Sequence, residues 1–421
     1  MIHRRDFLIN ALKGSSLLAA ATVVPEFVVN TARAAEVGKE NVLVLIELNG
    51  CNDGLNTVIP HGDDTYHKAR PTLHFTKQQV VRVDDHIGLH PAMRNLDRLL
   101  QQGQLGIVQG IGYPNPDRSH FESMDIWQLA DPRRKRKDGW IGRSVSSLQK
   151  GGGVAAMHIG SRRLPVALTG GGGGVVSISN RHPFRLEVGT DDPAQKKARR
   201  KLMQDLAQAP AKPGEDLLSF VQRRQVETYT TFDRLEELLR TRRGRSNTFF
   251  STDGRRFYDE KSLVERMQLV ARLIASGFGT RVFYVMMDGF DTHAAQAESH
   301  RNLVGEVADA ITYMFQTLQQ TGHDKRVIAM TFSEFGRRVY ENGSKGTDHG
   351  SGSCLFVAGP AVKGGLVGKH PSLTDLDSGD LRYHTDFRRV YATLLDKWLG
   401  CDSKVVLDGA FEHLDLIKAK A

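Results

Sequence analysis

The sequence predicts an α/β protein in which a mostly parallel β-sheet is covered by helices on both faces. Short runs that are apolar at nearly every position, such as 42–48 and 326–332, are typical of strands buried on both faces. These runs alternate along the chain with longer segments of helical periodicity, as they do in parallel α/β folds. The hydrophobic fraction of 40% and the charged fraction of 25% exclude a largely disordered chain.

Short apolar runs are predicted to be strands. Longer segments with apolar residues at helical spacing are predicted to be helices. The predicted strands are 42–48, 105–111, 154–159, 165–169, 281–287, 326–332 and 353–358. The predicted helices are 91–101, which has Pro91 in its first turn, 119–129, 193–208, 215–243, 262–276, 294–320 and 386–399. The alternation is least clear between about 130 and 260. We therefore expect one domain, 35–421, with an insertion or cap at about 130–260.

Residues 1–34 have the pattern of a twin-arginine export signal. Arg4-Arg5-Asp6-Phe7-Leu8 matches its basic motif, a short, weakly apolar stretch follows, and Ala32-Arg33-Ala34 provides a cleavage site. The apolar stretch is shorter than the ~18–20 residues that a membrane-spanning helix needs. The sequence thus predicts export by the Tat translocase to the periplasm or the extracellular space, without a stable transmembrane span.

The formal net charge of +9 and the three cysteines bear on partners and redox chemistry. The basic clusters 133–137, 196–201 and 240–245 indicate either attraction to an anionic partner or ordinary solvated surfaces. Few aromatic residues interleave them and no nucleic-acid motif is present, so we expect no nucleic acid partner. A protein exported in the folded state does not require disulfides, and an odd number of cysteines leaves at least one thiol unpaired.

Polar residues follow four of the predicted strands. They are Asn52-Asp53-Gly54 after 42–48, Asp117-Arg118-Ser119-His120 after 105–111, Asp288, Asp291 and His293 after 281–287, and Glu334, Arg337 and Asp348-His349 after 326–332. Ligands of open α/β sheets bind at the carboxyl ends of the strands. We therefore expect one pocket that contains Asp53, Asp291, His293, Asp348 and His349.

The residue types in these clusters are those of a metal site. Carboxylates and neutral imidazoles bind Zn²⁺ or Mn²⁺, whereas all-oxygen shells suit Mg²⁺ or Ca²⁺. We expect one or two divalent ions of these kinds. Ser119 stands at a predicted helix start, where backbone N–H groups favour an anion and a nearby metal would activate its hydroxyl as a nucleophile.

Six motifs resemble those of a bacterial family of uncharacterised function that carries Tat signals and is distantly related to the alkaline phosphatase/sulfatase superfamily. The motifs are Asn52-Asp53-Gly54-Leu55-Asn56, Gly88-Leu89-His90-Pro91, Arg118-Ser119-His120-Phe121, Gly289-Phe290-Asp291-Thr292-His293, Ser333-Glu334-Phe335-Gly336-Arg337 and Gly346-Thr347-Asp348-His349-Gly350. The resemblance covers about residues 40–400 and implies an alkaline phosphatase-like α/β sandwich.

The superfamily resemblance also implies roles for single residues. It places Asp53, Asp348 and His349 around one metal, with Ser119 as the nucleophile. It places Asp291, His293 and the late His384 around a second metal. The spacing of Asp291 and His293 is shorter than in phosphatases, and no C-x-P-x-R motif is present to form the formylglycine of true sulfatases.

Structural alternatives remain open for several of these residues. Asp53 could form a turn, and Ser119 could only cap a helix. Asp386 alone explains a helix start beside His384. Arg337 could contact substrate, or it could form a structural ion pair with Glu334.

These observations favour an exported, metal-dependent hydrolase of phosphate or sulfate esters, acting on an anionic small molecule or polymer. The alternative is a non-catalytic exported protein that keeps the fold as a binding or assembly partner. A phosphotransferase or mutase of the same fold is a third hypothesis. The sequence does not name the substrate, because specificity would lie in the insertion and the loops.

Overall fold

The computed structural model describes residues 40–148, 154–160, 164–170, 174–178, 201 and 262–419. The expected signal 1–34 lies outside the described residues. So do the expected helix 215–243 and, apart from residue 201, the expected helix 193–208. The single-domain boundaries and the insertion at about 130–260 therefore stay a prediction.

The described residues contain strands of very different length. They are β1 (Val42–Leu48), β2 (Val58–Ile59), β3 (Val81–Arg82), β4 (Gly88–Leu89), β5 (Leu105–Gly112), β6 (Ala156–Ile159), β7 (Val175–Ile178), β8 (Val282–Met287), β9 (Val327–Phe332), β10 (Arg337–Glu341), β11 (Thr347–His349), β12 (Ser353–Ala358), β13 (Gly365–Val367), β14 (Leu376–Asp377), β15 (Asp380–Leu381) and β16 (Thr385–Asp386). Only the long ones correspond to apolar runs in the sequence.

Helices follow most of the long strands. They are α1 (Gly54–Thr57), α2 (Asp64–Ala69), α3 (Asp97–Gln101), α4 (His120–Leu129), α5 (Trp140–Leu148), α6 (Leu263–Ala275), α7 (Gln296–Gln320), α8 (Phe387–Leu394) and α9 (Ser403–Leu407). A 3₁₀ segment, Pro91–Leu96, precedes α3, and a π turn, Leu395–Leu399, continues α8.

The main sheet has the order β13-β5-β12-β9-β1-β8-β6-β7, with β16 also pairing with β5. Strand β12 runs antiparallel to both β9 and β5, and every other pairing in this sheet is parallel. The predicted class, an α/β fold with a mostly parallel sheet, is confirmed. The reversed strand matters for function, because its amino end lies at the edge where the parallel strands end.

Strand β1 shows why the sequence produces a layered fold. Val44 and Ile46 pack into the core beneath α6 and α7, whereas Leu43 and Leu45 pack into the core beneath α4 and α8. Successive side chains of a strand point to opposite faces, so a run that is apolar throughout requires a hydrophobic layer on each side.

Three local expectations differ from the structure. The expected helix 91–101 is a 3₁₀ segment, Pro91–Leu96, followed by the short helix α3. Residues 165–169 do not form a strand: Val166–Leu168 is a 3₁₀ turn after Pro165, which has no N–H to donate to a strand ladder. The expected helix 386–399 is divided into α8 and the π turn. Within the described part of the chain, no helix combines the length and the apolar character that crossing a membrane requires.

Candidate metal centre

One carboxylate oxygen is surrounded by three imidazole rings. The Oδ1 atom of Asp291 lies 3.0 Å from Nε2 of His293, 3.3 Å from Nε2 of His349 and 3.6 Å from Nε2 of His120. The Nε2 atoms of His293 and His349 are 2.9 Å apart. We call these four residues the His₃Asp cluster.

The sheet topology brings the cluster together. Asp291 and His293 lie in the loop that follows β8, and His120 is the first residue of α4, which follows β5. His349 ends β11, just before β12. Since β12 is antiparallel to its neighbours, the segment that enters it reaches the same edge as the ends of β5 and β8.

Each histidine of the cluster is oriented by a partner on its other ring nitrogen. The Nδ1 of His120 lies 2.7 Å from the Oε1 of Glu334, and the Nδ1 of His349 lies 2.9 Å from the carbonyl oxygen of Arg118. The Nδ1 of His293 lies 3.4 Å from the Oδ1 of Asp348. The Nδ1 atom of each ring is thus directed at an acceptor, and the Nε2 atoms of all three rings face Asp291.

This arrangement fits a metal ion. Metal-binding histidines typically donate their second N–H to a carboxylate or a backbone carbonyl, which fixes the tautomer and the ring orientation. The Nε2 of His120 is buried and has no hydrogen-bond partner. This ring nitrogen without a hydrogen-bond partner, two further imidazole nitrogens and a carboxylate together form a donor set that a divalent cation would satisfy.

Arg337 holds Asp291 in place. The guanidinium is 1% exposed, and its Nη2 donates to Asp291 Oδ1 at 2.6 Å and to the carbonyl of Phe290 at 3.0 Å. Its Nε and Nη1 donate to the carbonyls of Cys51 and Thr347. All three nitrogens of the guanidinium thus donate to the chain itself, and the ion pair is with Asp291 rather than with Glu334. Arg337 is a positioning residue.

The pKa values of the cluster follow from these contacts. The hydrogen bond to Glu334 raises the pKa of His120 above its ordinary value, although partial burial opposes this. Burial lowers the pKa of His349, against the effect of Asp291. Burial alone would raise the pKa of Asp291, but Arg337 and His349 lower it below the ordinary value. These directions favour an ionised Asp291 and a neutral His349, whereas the contact with Glu334 favours the protonated form of His120.

Asp53 is placed in a different environment from the His₃Asp cluster. Its fully buried carboxylate forms an ion pair with the fully buried Arg70, accepts from the amide of Gln296, and caps α1 through the N–H of Asn56. The structure thus brings Asp291, His293, Asp348 and His349 together, while the contacts of Asp53 are those of a buried structural ion pair. Asp348 accepts from Asn342 and His293 and so lies on the outer side of the imidazoles.

Ser119 and His384, two further predicted site residues, are not members of the His₃Asp cluster. Ser119 is the N-cap residue of α4, directly before His120, and its side chain makes no capping hydrogen bond. His384 is exposed and packs against Gly110, with Nε2 2.7 Å from the carbonyl oxygen of Lys369 and Nδ1 3.0 Å from Thr385 Oγ1. Its contacts do not include the His₃Asp cluster. Asp386, as expected, caps the following helix through the N–H of Arg388.

Sequence reasoning missed three residues of this region: His120 and Cys51 as candidate ligands and Glu334 as the group that orients His120. Ligand atoms of Cys51, His120, Asp291 and His349 lie within 4.8 Å of one another. His120 carried a signal, since it follows a strand and adjoins Ser119. Cys51 carried none beyond its place at the end of β1. The structure therefore contains a group of side chains able to hold a metal ion, as the sequence predicts.

Positive charge lies beside the cluster. Arg118 and Arg338 are partly exposed and share the buried carboxylate of Asp380, at 2.7 Å and 3.5 Å. The carbonyl of Arg118 is the acceptor for His349, so this arginine adjoins the cluster through its own backbone.

Several solved structures match this chain at low sequence identity. They include a protein of the alkaline phosphatase superfamily from Vibrio parahaemolyticus, 10% identical over 88% of this chain and 69% of that chain, with a TM-score of 0.39. A sulfatase from Pseudoalteromonas sp. is 11% identical over 91% of this chain and 72% of its own, with a TM-score of 0.37. An alkaline phosphatase from the Antarctic bacterium TAB5 is 10% identical over 77% and 93%, with a TM-score of 0.31.

No curated protein matches the sequence significantly. The family assignment therefore rests on the sequence match, and the fold class rests on the sheet topology. The match spans residues 40–410, which includes every element that contributes to the His₃Asp cluster. The chain belongs to the family described as protein of unknown function (DUF1501).

Proposed function

We propose that this protein is an exported hydrolase of phosphate or sulfate esters that depends on a divalent metal ion held by the His₃Asp cluster. The observation that carries the proposal is the convergence of three oriented imidazoles on Asp291 Oδ1. Among them, the Nε2 of His120 has no hydrogen-bond partner. An ion bound there would act as a Lewis acid that stabilises negative charge on an ester oxygen.

Ser119 is the nucleophile in this proposal. It precedes His120, and its hydroxyl is free of the capping bond that an N-cap serine usually makes. The N–H groups in the first turn of α4 can donate to an oxygen of the anionic ester. Its Oγ would bond to phosphorus or sulfur as the bond to the leaving alcohol breaks, and the hydroxyl proton of Ser119 would end on that alcohol. Water would then cleave the seryl ester, release the phosphate or sulfate and restore the hydroxyl.

The charges around the cluster favour an anionic substrate. Arg118, whose carbonyl oxygen lies 2.9 Å from His349 Nδ1, and Arg338, which follows Arg337 in β10, carry partly exposed guanidinium groups that Asp380 holds in position. Guanidinium groups bind phosphate and sulfate oxygens through paired N–H donors. Arg337 takes no direct part, because it is buried and orients Asp291.

The metal ligands are tested by metal analysis of the purified protein and of two matched histidine variants. His349→Ala removes an imidazole of the cluster and should lose most of the bound metal. His384→Ala removes a histidine whose contacts lie elsewhere and should keep the metal. Equal loss in both variants would show that the ligand set is wrong. No metal in the native protein would favour the non-catalytic alternative.

The nucleophile is tested by hydrolysis of a panel of phosphate and sulfate esters. Ser119→Ala should lower kcat by several orders of magnitude, as the loss of an activated nucleophile does. Its metal content and unfolding midpoint should stay close to those of the native protein, since the hydroxyl caps no N–H. Near-normal turnover by Ser119→Ala would assign the attack to water instead.

We also propose export through the Tat translocase to the periplasm or the extracellular space. The support is the Arg4-Arg5-Asp6-Phe7-Leu8 motif with its short apolar stretch. Cys51 and Cys354 are buried free thiols, which is compatible with a protein that folds before export.

A further inference from the structure

We infer that the Sγ of Cys51 is a donor to the metal ion of this centre, and that it makes the site prefer Zn²⁺ or Co²⁺ over Mg²⁺ and Ca²⁺. This inference rests on the proposed function, because it concerns the same ion. It concerns a residue of this chain that neither the family match nor the motifs assign to a metal.

The geometry places the thiol among the other donors. Ligand atoms of Cys51, His120, Asp291 and His349 all lie within 4.8 Å of one another. Zinc bonds to nitrogen, oxygen and sulfur are about 2.0–2.3 Å long, so small inward movements of these side chains would bring the donors onto one ion. Cys51 is fully buried, the two histidines are half-buried and Asp291 is exposed. The thiol therefore closes the inner side of the site and leaves its outer side open.

The backbone around Cys51 is held on both sides and cannot easily turn the thiol away. The N–H of Gly50 donates to Glu334 Oε1 at 2.9 Å, and the N–H of Asn52 donates to Ser333 Oγ at 3.0 Å. The carbonyl of Cys51 accepts from Nε of Arg337 at 2.9 Å. Glu334 also orients His120, and Arg337 also orients Asp291, so the same two side chains position the cysteine and two other ligands.

The backbone conformation at Cys51 adds a second argument. Its φ is +56°, in the left-handed region where a non-glycine residue is uncommon and costs conformational energy. Glycine would be the unstrained residue at this position. A cysteine there keeps a side chain at the cluster at the expense of backbone strain, as residues at functional sites often do.

The chemistry of sulfur sets the metal preference. Thiolates and imidazoles bind Zn²⁺ and Co²⁺ well, whereas Mg²⁺ and Ca²⁺ require oxygen ligands. A site with one thiol, three imidazoles nearby and one carboxylate therefore has the donor set of a zinc-type centre.

The experiment is electronic absorption of the purified full chain loaded with Co²⁺, which reports sulfur ligation directly. We expect cobalt ligand-field bands together with a sulfur-to-cobalt charge-transfer band in the near ultraviolet. Cys51→Ser and Cys51→Gly should lose the charge-transfer band and keep the ligand-field bands. The glycine variant relieves the positive φ, so a folding defect of the serine variant does not decide the test. Cys354→Ser, which changes a buried cysteine in β12, is the matched control and should keep both bands.

Competition titrations give a second readout. Cys51→Ser should lower the affinity for Zn²⁺ at least about tenfold and leave the affinity for Mg²⁺ unchanged. Ligand-field bands without the charge-transfer band in the native chain, or a charge-transfer band that survives in both Cys51 variants, would overturn the role of Cys51 while the metal centre stands. A native chain that binds no cobalt would overturn the centre and this inference together.

Discussion

Glu47 is a carboxyl group in the middle of β1 with no access to water. It points to the same face as Leu43 and Leu45, and its Oε2 accepts from Gln128 Nε2 at 2.7 Å and from the hydroxyl of Tyr284. Its Oε1 has no partner. Burial raises the pKa of Glu47 to about 7, even though both hydrogen bonds oppose this. The folded protein therefore keeps this acid protonated well above the pH at which it ionises in the unfolded chain.

The raised pKa of Glu47 predicts that stability falls between about pH 4.5 and pH 7. In this window the unfolded chain loses the proton and the folded chain retains it, so the free energy of unfolding decreases as the pH rises, by roughly 3 kcal/mol in total. Glu47→Gln cannot ionise and should be more stable than the native protein at pH 8 and similar to it below pH 4.5. Urea unfolding across this range, with a chelator present, measures the difference. Glu298→Gln, an exposed acid of α7, is the control, and parallel pH profiles for Glu47→Gln and the native protein would contradict the prediction.

Asp53 and Arg70 form an ion pair in which both side chains are 0% exposed. Nε of Arg70 also donates to the carbonyl of Val339 at 2.9 Å, so the pair links the loop after β1 to β10. Burial alone would raise the pKa of Asp53, and the guanidinium lowers it below the ordinary value. Removing one member of such a pair leaves the other as an uncompensated buried charge.

Asp53→Asn should therefore reduce the free energy of unfolding by about 3–5 kcal/mol. It should also leave the metal content of the folded protein unchanged, because Asp53 contacts Arg70, Gln296 and Asn56. Chemical unfolding and metal analysis of the same sample check both parts. Asp63→Asn, which replaces one good capping residue of α2 by another, is the control. Loss of the metal from folded Asp53→Asn would restore Asp53 as a ligand.

At the scale of elements, the site depends on a hairpin that packs against a loop. Strands β10 and β11 pair antiparallel, and the turn between them lies against the segment that contains His293. The N–H of Ala295 donates to the carbonyl of Ser344, and a Cβ on Gly346 would lie 2.2 Å from the carbonyl oxygen of His293. The hairpin thus determines where the imidazole of His293 stands.

Gly346→Ala should weaken metal binding without touching a ligand, because the added methyl group must displace the backbone of His293. We expect a loss of about tenfold or more in metal affinity, comparable to that of other groups that orient ligands. Gly343→Ala lies in the same turn, where a Cβ meets nothing within 4 Å, and should behave as the native protein does. Titration with Co²⁺ or Zn²⁺ compares the three proteins, and equal affinities would contradict the dependence on the hairpin.

At the scale of the whole molecule, one reversed strand makes the site possible. All pairings in the main sheet are parallel except those of β12, and the segment leading into β12 carries Asp348 and His349. A parallel β12 would place these residues at the opposite edge, away from Asp291 and His120. The cluster residues therefore meet at one edge of the sheet, where β5 and β8 end and β12 begins.

Export is a property of the whole chain and is predicted to need Arg4 and Arg5. Replacing both with Lys keeps the charge but removes the paired guanidinium groups of the twin-arginine motif, so the precursor should stay in the cytoplasm. Cell fractionation with detection of the protein measures this. Lys13→Arg is a matched control outside the motif. Unchanged export of the Arg4→Lys, Arg5→Lys precursor would contradict the Tat route.

The sequence by itself determined the layered α/β class and the elements that lead to the site. Runs such as 105–111 and 281–287 are apolar enough to be buried on both faces, and this signal depends only on residues next to each other in the chain. The same local signal places Asp291 and His293 directly after a strand, and the strand-end rule then predicts the correct edge of the sheet. The short strands β10 and β11 escaped prediction because each is held by pairing with its neighbour rather than by its own pattern.

Only the tertiary structure decided which polar side chains are available to a metal. Glu334 orients His120 although 214 residues separate them in the chain. Arg70 neutralises Asp53 through a contact that the spacing of the two residues does not predict. Arg337 likewise donates to backbone carbonyls of three separate segments, at Cys51, Phe290 and Thr347. Burial and pairing are properties of contacts between distant residues, so a carboxylate that is a free ligand and one that is a buried ion pair look the same in the sequence.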